Sequence, residues 1–329
     1  MASLDNTVYS GKQFESYISL QSDALGVNDV SGTLYKLRTP EVNDIDYSAG
    51  STFADAVRSG QRVQRPTDHI AIFKGGTFTW SFSDYVVENE AVLQLLLQLV
   101  SEDSSPSGTV AITGNQGTVA YEQGASTGEY ACVVIHSPDA DEDKLMFSSI
   151  LQELTLSMNP TANGGRLTAS GTFWSGYQPV VGTEGTSADA TAVDYTQGFF
   201  DCTTMTIGGD NVVLNNFDVT ISNPATRVGY ETVNSIEAEP SAYMRGGMIE
   251  VTGNVSAKLD DNVTDTIDDF RDGTSVNISI GDGAAIDFDI PTAKYPGYSH
   301  TSTDSGVFID LPFKGTADGS GALITIIAT

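Results

Sequence analysis

Three histidines, two cysteines and a large surplus of carboxylates are the side chains from which catalysis or metal binding would have to be built here. His136 precedes Ser137-Pro138-Asp139, the residue types of a nucleophilic triad. Triads are assembled in space, however, and adjacency along the chain marks only a histidine at a strand end. His69 and His300 stand in separate contexts, with no His-x-x-x-His or His-Glu-x-x-His spacing. The run Asp139-Ala-Asp-Glu-Asp-Lys144 opens like a calcium loop at positions one, three and five. It has Lys144 where the turn needs glycine and Ile150 where the bidentate glutamate belongs, so it reads as a solvated acidic loop.

The other motifs are equally bare. Asp260, Asp261, Asp265, Asp268, Asp269 and Asp272 lie on or beside a short helical stretch, opposite its apolar positions, as an exposed face would. Cys132 sits in the apolar run ACVVI, where a buried inert thiol is expected, and with Cys202 it makes neither a disulfide framework nor a zinc site. No phosphate-binding glycine loop occurs. Asn254, Asn262 and Asn277 open glycosylation triplets of a kind frequent in Ser/Thr-rich chains. No catalytic, cofactor-binding or metal-binding residue is expected, and the chain reads as a non-enzyme.

The elements that would position such groups are β-strands. MIEVTGNVSAKL (248–259) alternates Ile249, Val251, Gly253, Val255, Ala257 and Leu259 against Glu250, Thr252, Asn254, Ser256 and Lys258. Period-two alternation of that length predicts a long half-buried strand. Arg245-Gly246-Gly247 introduces it, as Lys74-Gly75-Gly76 introduces TFTWSFS with Phe78, Trp80 and Phe82 on one face. Further strands are read at 31–39, 70–83 (a pair around Gly75-Gly76), 108–113, 127–135, 150–158, 164–173, 212–223, 274–283, 285–290 and 307–326 (two strands around a glycine-rich turn). The strands before and after Asn159–Gly165 form a hairpin by their turn residues. Val92, Leu95, Leu96, Leu99 and Val100, widened by Leu93 and Leu97, predict a helix near 88–101. A second helix is expected over 261–273, with Val263, Ile267 and Phe270 inward and Gly273 as its stop.

The strand–loop–strand–helix order occurs twice, so the 329 residues read as a duplicated chain. The expected division is an N-terminal arm or loosely attached first strand (1–27), a first β domain (28–178), a linker (179–211) and a second β domain (212–329). The helix-anchored register pairs KGGTFTWSF with RGGMIEVTGNVS and ELTLSMNPTANGGRLTAS with VFIDLPFKGTADGSGALITI. A competing register sets ELTLSMNP against FDVTISNP. The fold class is mainly β: two tandem β-sandwiches or partial barrels, each with one flanking helix.

Charge bounds the partners. Asp and Glu number 43 against 15 Lys and Arg, for a net charge of −28, and this excludes a basic nucleic-acid footprint. Aspartate outnumbers glutamate, and lysine is scarce. That bias fits an ordinary acidic surface, or one kept for molar salt and a halophilic host, where screening acts over about 3 Å. The N-terminus has no apolar signal region, and the most apolar run, Ala91–Val100, is too short to span a bilayer. A soluble protein without membrane insertion, made and assembled inside a cell, is expected.

The polar N-terminal arm, the arginine-bearing loop 41–66 ahead of KGGTFTWSF, the Leu-rich helix, FDVTISNPATRVGYETVNSIEAEP and the ending VFIDLPFKGTADGSGALITIIAT together resemble the two-domain tail tube (major tail) proteins of long-tailed, siphovirus-like viruses of bacteria and archaea. The resemblance implies a structural virion protein that self-assembles into stacked rings forming a tail tube. Such a ring is expected to be a trimer of pseudo-sixfold symmetry, or a hexamer, with an acidic lumen carrying DNA as cargo only. It also implies assembly in the host cytoplasm and contact with tape-measure, terminator and distal tail proteins. Glu250 and Lys258 are expected on the lumen or sheet surface, and loops 41–66 and 224–243 at subunit or ring contacts. The alternative is a binding module, a capsid decoration protein, adhesin or glycan-binding sandwich, recognised by exposed Trp174, Tyr177, Tyr295 and Tyr298.

Overall fold

A computed structural model describes residues 10, 13–21, 25–27, 33–46, 51–53, 69–71, 77–101, 109–113, 119–122, 130–138, 142–182, 193–229, 239–303, 306–317, 319 and 321–329. In chain order these form β1 (Glu15–Leu20), β2 (Tyr35–Leu37), β3 (Ser51–Phe53), β4 (His69–Ala71), β5 (Phe78–Val86) and helix α1 (Glu90–Ser101). Then come β6 (Thr109–Thr113), β7 (Val119–Glu122), β8 (Ala131–His136), β9 (Asp143–Met158), β10 (Leu167–Ser175) and β11 (Val180–Gly182). β12 (Thr204–Ile207), β13 (Asp210–Asn211), β14 (Leu214–Ser222), β15 (Thr226–Val228), β16 (Ala242–Arg245), β17 (Glu250–Lys258) and helix α2 (Asp261–Asp272) follow. The chain ends with β18 (Val276–Gly281), β19 (Ile286–Lys294), β20 (Ser299–Thr303), β21 (Gly306–Gly315) and β22 (Ala322–Ala328).

The molecule is mainly β with two helices, and its strands pair antiparallel throughout. One long row runs β5–β10–β9–β14–β17–β21–β20. A second row runs β12–β18–β19–β22–β6, and a third β2–β1–β8–β9–β11. β9 belongs to two rows, and Ser148, at φ 49, lies where it leaves one for the other. The apolar sides of the first two rows meet: the Phe217 ring of β14 lies 5.2 Å from the Phe288 ring of β19. This is a β-sandwich-like arrangement, and no row closes into a barrel among the described residues.

The alternation predicted for 248–259 is the pattern seen in β17, where Val251, Val255 and Ala257 are buried. All seven apolar residues expected to mark α1 are buried, so this helix is core nearly all round. Asn89 caps it, its Oδ1 accepting from Val92 N at 3.0 Å. Asp260 caps α2 in the same way, accepting from Val263 N at 3.2 Å, and Gly273 ends it in the left-handed region at φ 69. The Asn159–Gly165 turn does join β9 to β10.

Two expected pairings differ. β4 pairs with β3 and, among the described residues, not with β5, as a hairpin over 70–83 would require. β21 and β22 both form, but β21 lies between β17 and β20, while β22 lies between β19 and β6. The glycine-rich segment between them carries the chain across the sandwich instead of turning it back. Apolar alternation fixes which face of a strand is buried but leaves its neighbour open. The expected first strand is also firmly held: β1 is paired on both sides, and Ile18 is in the core. The Lys74–Gly76 turn, and most of loop 41–66, lie outside the described residues.

Candidate assembly surface

The groups nominated for chemistry lie in separate parts of the scaffold. His136 Nδ1 lies 2.9 Å from Oδ1 of Asp143, and the same oxygen accepts from Ser137 N at 2.8 Å. Asp143 is almost fully buried, so its carboxylate staples the end of β8 to the start of β9. Residues 139–141 lie outside the described residues; beyond them, Lys144 Nζ sits 2.6 Å from the Asp44 carboxylate. His300 packs edge-on against Tyr298, and Tyr298 against Phe270 of α2. His69 lies in β4. On α2, Asp268 pairs with Arg271 at 3.2 Å across exposed solvent. Among the described residues, no group of three or more His, Cys, Asp and Glu is placed to hold a metal ion. Cys132 is buried, and burial beside Asp201, Asp282 and Asp287 pushes the Cys202 thiol up to about 12, away from the thiolate.

The aromatic residues expected on exposed loops are mostly interior. Trp174 is 7% exposed, Tyr177 0% and Tyr295 7%, and only Tyr298, at 38%, is open. Trp174 packs on Tyr243, their ring centroids 4.8 Å apart. The Tyr177 hydroxyl donates to Pro240 O at 2.9 Å, and Tyr243 Oη accepts from Gly176 N at 2.7 Å. Large aromatics at strand ends anchor the core here, and backbone groups meet the Tyr177 and Tyr243 hydroxyls.

What the fold does present is a sheet surface. On the side of the long row away from the core, Glu153, Thr155 and Ser157 of β9 face Ser222, Thr220 and Asp218 of β14. Those in turn face Glu250, Thr252 and Asn254 of β17. Lys314 Nζ lies 2.6 Å from Glu250 Oε1, and Thr301 Oγ1 donates to Asp310 Oδ2 at 2.8 Å. The charged groups on this face include Glu153, Asp218, Glu250 and Asp310, with Lys258 and Lys314. Burial between neighbouring strands raises the Asp218 carboxyl above the usual aspartate value, against a backbone hydrogen bond from Asn254 that lowers it. Glu250 and Lys258 do lie on the sheet's polar side, as expected.

Two interactions that the sequence did not announce hold the surface in shape. The β9–β14 junction makes one continuous sheet from strands far apart in the chain. Beneath it, Arg245 is buried and donates to the carbonyls of Asn223, Leu99 and Leu151. Asn223 Nδ2 donates to Val100 O at 2.9 Å, so two side chains close the carbonyl end of α1. Arg245 had been read only as the entry to a turn; no spacing in the sequence reveals that it reaches a helix so distant in the chain.

With this geometry in hand, comparison with known proteins is informative. The family model described as phage tail tube protein matches residues 24–321. No curated protein matches the chain. No helix among the described residues is long and apolar enough to cross a membrane. A sandwich whose main sheet runs on through strands distant in the chain, offering a polar face, agrees with a match spanning most of the sequence: the chain belongs to the phage tail tube protein family and is a structural component of the viral tail.

Proposed function

We propose that the chain is the repeating subunit of the tube wall, joining copies of itself edge to edge into rings that stack. The observation that carries this reading is the β9–β14 junction, which continues one sheet with a single polar face from residue 153 to residue 314. A sheet that already extends itself once within the chain extends again between chains by the same backbone pairing. The halves are taken as 28–178 and 212–329, joined by 179–211 and preceded by the arm 1–27. Three chains then supply six similar units, with six single chains the other solution.

The polar face is assigned to the lumen. Glu153, Asp218, Glu250 and Asp310 outnumber Lys258 and Lys314 there, and the whole chain carries −28. Such a wall repels phosphates, so DNA passes as cargo and is not bound. The loops 41–66 and 224–243 are assigned to contacts between subunits or rings, and tape-measure, terminator and distal tail proteins to the tube's length and ends. Assembly in the host cytoplasm precedes incorporation into the virion tail. With three of the four aromatics buried, the binding-module alternative has no open aromatic cluster to support it.

Negative-stain electron microscopy of the purified protein from low to molar salt tests the proposal. Rings or tubes with a central channel are expected, with assembly favoured by salt that screens the acidic charge. A discrete monomer under every condition would overturn it.

A further inference from the structure

β20 ends the long row. Among the described residues it pairs with β21 alone, and Ser299, His300, Thr301 and Ser302 are exposed. Natural edge strands are guarded by proline, lysine, inward charge or a bulge. Ser-His-Thr-Ser-Thr carries none of these, so the edge is fit to be covered.

The chain itself displays what covers such an edge. The order β5–β10–β9 recurs as β17–β21–β20, antiparallel in both. One offset carries the cap Asn89 onto Asp260, α1 onto α2 and Thr79 onto Glu250. It also carries Phe82 onto Gly253, and at this matched position Phe82 faces Gly171 as Gly253 faces Phe313. β20 therefore stands where β9 stands, and β9 is covered by β14. β14 lies beside β17, with Ser222 opposite Glu250. Beside β5 the residue opposite Thr79 is Asp46, whose N donates to Thr79 O at 2.8 Å. Trp80 Nε1 donates to Asn43 O at 2.9 Å, and Ile45 is buried as Ile221 is. The segment Val42–Asp46 thus stands where β14 stands.

We infer that the β20 edge of one chain is covered by Val42–Asp46 of a second copy, antiparallel, as β14 covers β9. This rests on the ring reading and names the surface through which the ring closes. The register follows from the repeat. Gly171 matches Phe313, so Ala169, two residues earlier, matches Leu311, the extra residue of the bulge lying on β5. Leu156 faces Ala169, and the β20 register, with Ser299 opposite Asp310, brings Tyr298 opposite Leu311. Tyr298 therefore takes the place of Leu156. Leu156 faces Val219, three residues before Ser222, as Asn43 is three before Asp46. Tyr298 of one copy meets Asn43 of the next. Within one chain these residues lie at opposite ends of the row, roughly 30 Å apart at about 4.8 Å per strand, so they join only between copies.

The test is the full-length double variant Tyr298→Cys/Asn43→Cys, assembled, oxidised and run on a non-reducing gel beside each single variant. A ladder of covalent multimers at the expense of the monomer band is expected, absent from the single variants. The pair Thr301→Cys/Asn43→Cys, whose side chains fall on opposite faces, should lose most of the ladder. Rings or tubes in the microscope without a ladder from the first pair would overturn this pairing and leave the ring reading standing. No assemblies for the unaltered protein would overturn both.

Discussion

Thr155 and Thr220 meet across the middle of the β9–β14 junction, their Oγ1 atoms 2.8 Å apart and directly opposite in register. A local twofold passes between them. It carries Leu154 onto Val219 and Gly171 onto Gly253, each glycine flanked by an aliphatic residue on one side and a phenylalanine, Phe82 or Phe313, on the other. The same sheet therefore reads alike from either side of this hydroxyl pair. The register ELTLSMNP against FDVTISNP, a rival of the helix-anchored one in the sequence, is this contact: the two stretches lie face to face as paired strands.

The hydroxyl pair predicts a double-mutant cycle. Thr155→Val or Thr220→Val alone should cost about 0.5–1.5 kcal/mol, by leaving one half-buried hydroxyl without its partner. The double variant should cost less than the sum of the two, read as urea unfolding midpoints at constant slope. Full additivity would mean that the hydroxyls do not interact.

Arg245 predicts a larger loss. Arg245→Met keeps the apolar stem but removes the donors to Leu99, Leu151 and Asn223 carbonyls, and should cost about 2–4 kcal/mol in thermal or chemical unfolding. Arg245→Lys should recover only part of it, because one ammonium cannot reproduce the guanidinium fork. An unchanged midpoint in both variants would remove the arginine from the account of α1.

Gly253 and Gly171 are equivalent in place but not in tolerance. A Cβ on Gly253 would fall 2.1 Å from Asp218 O, a backbone atom, and 2.6 Å from the Phe313 ring. On Gly171 the nearest atoms, Glu153 O and the Phe82 ring, are both 2.9 Å away. Gly253→Ala should therefore cost about 3 kcal/mol and Gly171→Ala nearer 1 kcal/mol, compared by unfolding midpoints. The reverse order would contradict the packing described.

Two carboxylates predict opposite pH trends. The Asp218 carboxyl is raised by burial, so ionising it costs the folded state. That cost is absent below the unfolded value near about 4 and grows as pH rises through the higher folded value. Asp218→Asn should thus gain stability over the unaltered chain as pH is raised from about 3.5 to about 6. The Glu15 carboxyl is held down by hydrogen bonds from Lys36 and then Tyr17. Its contribution is complete above about 4.3 and is lost as pH falls through the lower folded value, so Glu15→Gln should be the less stable protein at neutral pH. Parallel trends in the two variants would refute these assignments.

Much of the fold was legible as local pattern. The alternation of β17 and the stripe of α1 follow from side-chain period. The β9–β10 hairpin was legible because Asn163, Gly164 and Gly165 all take positive φ, which few other residues accept. The aromatics were misread because composition cannot say whether a ring at a strand end turns inward. Tyr177 does so where Pro240 O accepts from its hydroxyl, and Trp174 where its ring packs on Tyr243.

The sequence by itself determined the element types, the buried face of each strand, the acidic surface and the absence of a recognisable catalytic spacing, since these depend on neighbours a few residues away. Only the tertiary structure decided which strands lie side by side: β9 on β14, β22 on β6, and β21 on β17 instead of on β22. The reason is physical. A strand's side chains specify a face, but its edges are backbone amides and carbonyls common to every residue, so the choice of neighbour is settled by how the two apolar faces close over one core.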